Sequence, residues 1–204
     1  YSMSAAPSVG IRLASLADIE AIRAIRNEGI ADRCATLDEQ PHSFDDVRRW
    51  LVSRDPGHPA FVVHDDGGAV LGFASLNEFN PRFCYRYVAE ISCYISRSNR
   101  GRGLGTALVR HLADTALGLG YHKLVLTALA SNTASQRLYA RLGFRTVGRF
   151  TEQGMVDGVW VDTVVMDALL PLPEGPSPAE RRSITLNSQP ARSGSPSGRQ
   201  ATVT

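Results

Sequence analysis

Apolar positions along the chain recur with two periods, and the places where the period changes mark out the elements. Ile19, Ile22, Ala24 and Ile25, with Ile30 beyond, make a broad stripe at helical spacing. A helix is therefore expected over residues 16–29, ended by Gly29 and preceded by a short strand at 11–13. Residues 31–43 are polar and turn-rich, and Ser43 suits the N-cap of a second helix over 44–54. Two β-rich runs at 60–64 and 69–76 flank Asp65-Asp66-Gly67-Gly68, which reads as a hairpin turn. An alternating run at 86–96 leads through a glycine-rich turn into a helix over 106–117. Further strands are expected at 123–128, 145–152 and 160–168, with a helix starting near Asn132 and a turn at Asp157-Gly158. The order β-α-α-β-β-β-α-β-α-β-β predicts an α+β fold, a mixed and mostly antiparallel sheet with helices on its faces.

The pattern stops after Leu170. Pro, Ser and Gly supply 15 of the last 34 residues, with no aromatic residue among them, so residues 171–204 are expected to form a disordered tail. Residues 1–10 are expected to be disordered as well, with Tyr1-Ser2 ahead of Met3 reading as an expression scar. The single folded domain is placed at 11–170.

Charge adds an exclusion. The net charge of +2 resides in the tail, which holds four Arg and two Glu and leaves a neutral body. Neither nucleic acid nor a membrane surface is expected as a partner. No apolar run approaches the ~20 residues that span a bilayer. Cys34, Cys84 and Cys93 form no C-x-x-C pair and are odd in number, which fits reduced thiols in the cytoplasm. The five His residues lack metal-ligand spacing, so no metal is expected.

The candidate chemistry begins at Arg100-Gly101-Arg102-Gly103-Leu104-Gly105. A glycine turn opening a helix converges backbone N–H groups on an anion. The spacing G-x-G-x-G is not the dinucleotide fingerprint G-x-G-x-x-G, and Thr106-Ala107 is not the Lys-Ser/Thr pair of a Walker loop. Some thirty residues on stands Asn132-x-Ala134-x-x-x-Leu138-Tyr139-x-x-x-Gly143-Phe144. Arg100-x-x-Gly103-x-Gly105 followed by that segment resembles the GNAT superfamily of N-acetyltransferases over residues 11–170. Within it the chain is most similar to the phosphinothricin and arsinothricin N-acetyltransferases. That likeness rests on residues 36–43, on Pro81-Arg82-Phe83-Cys84-Tyr85, on residues 88–94, and on Gly158-Val159-Trp160-Val161-Asp162.

The resemblance implies acetyl-CoA as co-substrate. Its phosphates fall to Arg100, Gly101, Arg102, Gly103, Leu104, Gly105 and Thr106, its thioester carbonyl to the backbone near Tyr94 and Ile95, and its pantetheine arm to Asn132 and Ser135. By the two-residue period Glu90, Ser92 and Tyr94 share one face of their strand, while Ala89, Ile91, Cys93 and Ile95 face the core. Glu90 aligns with the general base of the phosphinothricin-type enzymes, an ordinary solvated or ion-paired glutamate being the alternative. Tyr139 takes the place of the group that protonates the departing thiolate, or else is a half-buried aromatic with a wet hydroxyl. Helical spacing puts it on one side with Asn132 and Gln136.

Arg82 and Tyr85 align with residues that hold the substrate's anionic groups, with Ser92 and Leu37 completing the pocket. Leu37 replaces the Phe usual in phosphinothricin enzymes and matches the arsinothricin-type relatives. Trp160 and Asp162 are candidates to close the cleft. The resemblance implies a cytoplasmic homodimer that acetylates the α-amine of a small anionic amino-acid analogue, with detoxification or self-resistance as its role. Acetylation of a protein N-terminus or another amine, or acetyl-CoA binding without turnover, stay open as rivals.

Overall fold

The computed structural model describes residues 9–174. Most of the expected tail, and the first eight residues, lie outside them. Seven strands and four helices follow the expected order: β1 (Val9–Leu13), α1 (Ile19–Ala31), α2 (Phe44–Val52), β2 (Ala60–Asp65), β3 (Val70–Glu78), β4 (Val88–Ile95), α3 (Leu104–Gly118), β5 (Lys123–Leu129), α4 (Thr133–Arg141), β6 (Arg145–Val156) and β7 (Val159–Leu169). One seven-stranded sheet has the spatial order β1-β2-β3-β4-β5-β7-β6, antiparallel except where β4 meets β5. The fold is the α+β arrangement that the pattern predicts.

Element ends differ from expectation where local chemistry decides them. β1 starts at Val9, two residues early, because Val9 and Gly10 pair with Asp65 and His64 of β2. Residues 16–18 form a separate 3-10 turn ahead of α1. Ser43 caps α2 as expected: its Oγ accepts from the Asp46 N–H at 3.2 Å, while Asp46 accepts from the Ser43 N–H at 2.8 Å. β6 runs on to Val156, and the Asp157-Gly158 turn uses positive φ at both residues. The body extends past Leu170, since Leu172 packs on the core.

Two apolar layers sandwich the sheet. Leu108 and Leu112 of α3 pack against Leu76, Ala89, Ile91, Leu124 and Met166 on one face. On the other, Ile19, Ile22 and Ile25 of α1 and Val47 of α2 pack against Val62 and Phe73. The alternation along β4 divides between these layers: Cys93 and Ile95 join the first, Tyr94 the second. At the outer end of the sheet Asp167 takes Arg145 at 2.9 Å and also the Lys123 ammonium.

The entry to α1 is fixed by one buried carboxylate. Asp18 accepts both Arg12 Nη atoms at 2.8 Å, with the Ser15 N–H at 2.8 Å and its hydroxyl at 2.9 Å. The Arg12 guanidinium, helped by Ser15, holds the Asp18 carboxyl down from 3.8 to about 2. Its folded value lies below its unfolded one, so its stabilisation is complete above pH 3.8 and is lost as pH falls toward 2. Asp18→Asn is expected to cost about 1–3 kcal/mol at pH 7. Denaturant unfolding checks this, and the difference between the two proteins should shrink between pH 4 and pH 2.

Candidate active site

The site originates where two strands part. β4 and β5 pair in parallel over three positions, Val88–Lys123, Ala89–Leu124 and Glu90–Val125. Beyond Glu90, β4 stays with β3 as far as Ile95 while β5 stays with β7 as far as Leu129. A cavity of ≈ 720 Å³ lies between Tyr94 and Ile95 of β4, the start of α3 and the start of α4.

The opening of α3 is built for an anion. Gly103 occupies the N-cap at φ +81° and Gly101 stands at φ +77°, conformations that a side chain resists. A Cβ at either would meet nothing within 4 Å, so backbone shape rather than crowding calls for glycine there. No side chain caps the helix, and the N–H groups of Leu104, Gly105 and Thr106 have no partner among the described residues. Gly105 serves packing instead: its Cβ would lie 2.9 Å from Leu138 Cδ1 of α4.

Every residue expected around a cofactor lines the cavity except Arg102, which turns to Asn99. Arg100 is held in place by two partners. Its Nη1 is 2.7 Å from Asp32, just past the end of α1, and its Nε donates to the Ile95 carbonyl at 3.3 Å. Asp32 also takes Arg97 at 2.5 Å. Arg137 and Arg141, one turn apart on α4, line the cavity too. Sequence reading passed over them, although two arginines at i, i+4 on the Asn132 helix were a visible signal.

The residues of α4 divide differently from expectation. Asn132 is its N-cap and accepts from the Ser135 N–H at 3.1 Å. Gln136 turns away from the cavity and donates to the carbonyls of Leu129 and Ala130, both at 3.1 Å, closing the end of β5. Tyr139 is buried edge-on to Phe144, lines the cavity, and has no hydrogen bond to its hydroxyl among the described residues. Burial pushes that phenol well above 10, so it stays protonated. Burial likewise pushes the neighbouring Cys93 thiol up to about 12. A thiol held neutral in this way is a poor nucleophile.

The expected acceptor residues occupy other ground. Glu90 and Ser92 lie on the Tyr94 face of β4, opposite Asn77 and Ser75 of β3. Glu90 is half-buried, and neither an ion pair nor a hydrogen bond holds its carboxylate among the described residues. Burial raises its pKa. Ser92 Oγ accepts from Asn77 Nδ2 at 3.1 Å. Leu37, in the loop between α1 and α2, rests on Gly154 of β6, where a Cβ would come within 3.1 Å. The Arg82 guanidinium, in the β3–β4 loop, has no partner among the described residues, and Tyr85 stacks edge-on to Phe79 at 5.4 Å. Asp162 braces the β6–β7 hairpin through Arg149 and the Glu152 N–H, and Trp160 is exposed. Among the described residues no group of His, Cys, Asp or Glu is arranged to hold a metal ion, and no helix is long and apolar enough to cross a membrane.

A glycine-opened helix, a split parallel strand pair and a cavity between them meet at the segment that carries the Arg100 motif. The profile of the Acetyltransferase (GNAT) family matches residues 22–144. The chain belongs to that family. It is 34% identical over 160 residues to an L-methionine sulfoximine/L-methionine sulfone acetyltransferase of Pseudomonas aeruginosa, covering 78% of this chain and 93% of that one. It is 33% identical to the phosphinothricin N-acetyltransferase of Alcaligenes faecalis, over 78% and 85% of the two chains. Among solved structures, a phosphinothricin acetyltransferase of Sinorhizobium meliloti in complex with acetyl-CoA superposes with TM-score 0.75 at 32% identity, over 82% of this GNAT chain and 90% of that protein. A Salmonella typhimurium acetyltransferase solved with its cofactor acetyl-CoA gives TM-score 0.76 at 30% identity, over 84% and 99%.

One glycine of this GNAT site has no motif to announce it. A Cβ on Gly72 of β3 would lie 2.8 Å from the Tyr94 carbonyl and 2.5 Å from Ile95 Cδ1, so β3 presses directly on the cavity end of β4. Gly72→Ala is expected to destabilise the fold by about 1–3 kcal/mol. Gly118→Ala, in a helical turn of α3 with nothing within 4 Å, is expected to stabilise it by up to about 1 kcal/mol. Urea midpoints of the two variants should move in opposite directions.

Proposed function

We propose that the chain transfers the acetyl group of acetyl-CoA to the α-amine of a small anionic amino-acid analogue of the phosphinothricin, arsinothricin or methionine sulfoximine type. The observation that carries this reading is the double use of β4: an unpaired, half-buried Glu90 near one end and a cavity-lining Tyr94–Ile95 edge at the other. Acetyl-CoA supplies an activated thioester. The N–H groups opening α3 suit its phosphates, and the free β4 edge suits a carbonyl oxygen.

Glu90 removes a proton from the acceptor ammonium, directly or through water, and its raised pKa strengthens it as a base. Tyr139 keeps its proton and delivers it to the departing sulfur. Transfer is direct; the Cys93 thiol beside Tyr139, held protonated by burial, is a poor nucleophile for an acyl-enzyme. Arg82 holds the acceptor's α-carboxylate and Leu37 walls the pocket, with Tyr85 and Ser92 beside it. A cytoplasmic setting and a detoxifying role accord with three free thiols and with the substrates for which the relatives are named.

Thiol release from acetyl-CoA tests the reading, with phosphinothricin, arsinothricin, methionine sulfoximine and glutamate as acceptors. Turnover is expected on at least one, with kcat/KM reduced about 10²–10⁴-fold in Glu90→Gln. Because burial raises the Glu90 pKa, the acid limb of the wild-type profile should lie above 4.5 and disappear in Glu90→Gln. CoA release that is unchanged in that variant would remove Glu90 from the mechanism.

We also propose a homodimer formed through β6 and β7. Their hairpin exposes Val147, Phe150, Met155, Val159 and Trp160 at the sheet edge, an apolar band that suits a second copy of the chain. Light scattering should give twice 22.1 kDa for the wild type and one subunit for Phe150→Glu combined with Trp160→Glu.

A further inference from the structure

Arg26 interrupts the buried side of α1. Ile22 lies one turn before it and Gly29 one turn after, both buried, and Ile19 and Ile25 complete the stripe. The guanidinium consequently lies against the sheet, 4.8 Å from the Trp50 ring centroid and 5.8 Å from that of Phe73. Phe73 in turn stacks on Tyr94 at 5.1 Å. Among the described residues Arg26 makes neither a hydrogen bond nor an ion pair, although a guanidinium offers five N–H donors. Asp38 and Tyr94 act on it through charge alone, and Asp38 Oδ2 is engaged by Thr36 at 3.0 Å and His42 at 3.2 Å.

Arg54 supplies the comparison. It lies 4.7 Å from the same indole, so Trp50 touches two guanidinium groups. Arg54 is held on two of its nitrogens: Nε donates to the His58 carbonyl at 2.6 Å, and Nη2 to Asn77 Oδ1 at 2.7 Å and the Leu76 carbonyl. Arg54 is a strut. Arg26, placed in the same aromatic layer, has donors with nothing to receive them, a costly state for a desolvated cation unless an anion arrives.

Its position says which anion. Phe73, Ser75 and Asn77 of β3 face Tyr94, Ser92 and Glu90 of β4 on one side of the sheet. Arg26, against Phe73, lies at the Tyr94 end of this row, with Asp38 of the Leu37 loop acting on it through charge, while Glu90 and the β3–β4 loop with Arg82 lie at the other end. Tyr94 and the α1 residues Ile25 and Gly29 line the cavity, and Arg26 stands beside that lining rather than in it.

We propose that Arg26 is a second anion site of the acceptor pocket and receives an oxyanion on the acceptor's side chain, leaving the α-carboxylate to Arg82. This rests on the acetyl-transfer reading above and narrows its substrate class. The preferred acceptors are α-amino acids whose side chain ends in a phosphinate, arsinate or carboxylate, ahead of those ending in a neutral sulfone. The planar fork suits such groups, and the aromatic layer keeps water from competing.

The test compares kcat/KM on L-phosphinothricin and L-methionine sulfone for the wild type, Arg26→Met and Arg26→Lys. The preference for the phosphinate should fall about 30-fold or more in Arg26→Met and recover in part in Arg26→Lys. The Tm of Arg26→Met should be no lower than that of wild type, because Met keeps the apolar stem and removes an unpaired charge. An unchanged preference ratio overturns the assignment, as does a lowered Tm with equal losses on both acceptors. If wild type acetylates neither compound, the acetyl-transfer reading fails by itself, and calorimetric titration with L-phosphinothricin decides the anion site. Binding that is lost in Arg26→Met supports it; binding that survives, or none to wild type, overturns it.

Discussion

The candidate site depends on β4 and β5 ceasing to pair after Glu90 and Val125. A strand edge inside a protein carries N–H and C=O groups that need partners, and a sheet normally supplies them. Here the rest of β4 keeps β3 on one side and opens to a cavity on the other. The uncapped N–H groups at the start of α3 face the same cavity, so one volume gathers two sets of unmet donors. A ligand with acceptors at both ends resolves both. The apolar floor under the gap, from Leu104 to Leu138, keeps the strands from collapsing across it.

The sheet also separates two faces. Residues of β4 that point toward α3 and α4 line the cavity or the core beneath it, and of those on the α1 and α2 side Glu90 and Ser92 face Asn77 and Ser75 of β3 while Tyr94 reaches the cavity as well. Adjacent residues thus serve opposite faces: Cys93 beside Tyr139, Tyr94 beside Phe73. Asp32 ties the faces together. It stands at the end of α1, where the Leu37 loop begins, and holds both Arg97 and Arg100 of the glycine turn. Glu28, also on α1, adds a second tie by accepting from the Arg97 N–H at 2.6 Å.

What the sequence made legible was local. Ser43 with Asp46 three residues on spelled out the α2 cap, the alternation from Ala89 to Ile95 separated two faces, and Gly101-x-Gly103 announced a turn at positive φ. Contacts between distant residues were not legible. Arg100 reads as a free charge until Asp32, 68 residues earlier, is seen to hold it. Gln136 falls on the Tyr139 side of a helical wheel, yet the carbonyls left open at the end of β5 draw it away. Arg26, Trp50 and Arg54 come from three places in the chain and become neighbours only when α1 and α2 pack on Phe73. An arginine within an isoleucine stripe was the one hint, and a stripe is ordinarily read for its apolar members.

The ion pair at the outer end of the sheet has a separate consequence. Lys123 is the sole lysine of the chain, and Asp167 holds its ammonium against β7 while Arg145 shares the same carboxylate. An ammonium occupied in this way keeps no lone pair for an electrophile. A protein working beside a reactive thioester is exposed to slow chemical acylation of its own surface amines. This chain offers that side reaction one ε-amine, already engaged, and meets its remaining need for surface cations with guanidinium groups that do not acylate under such conditions.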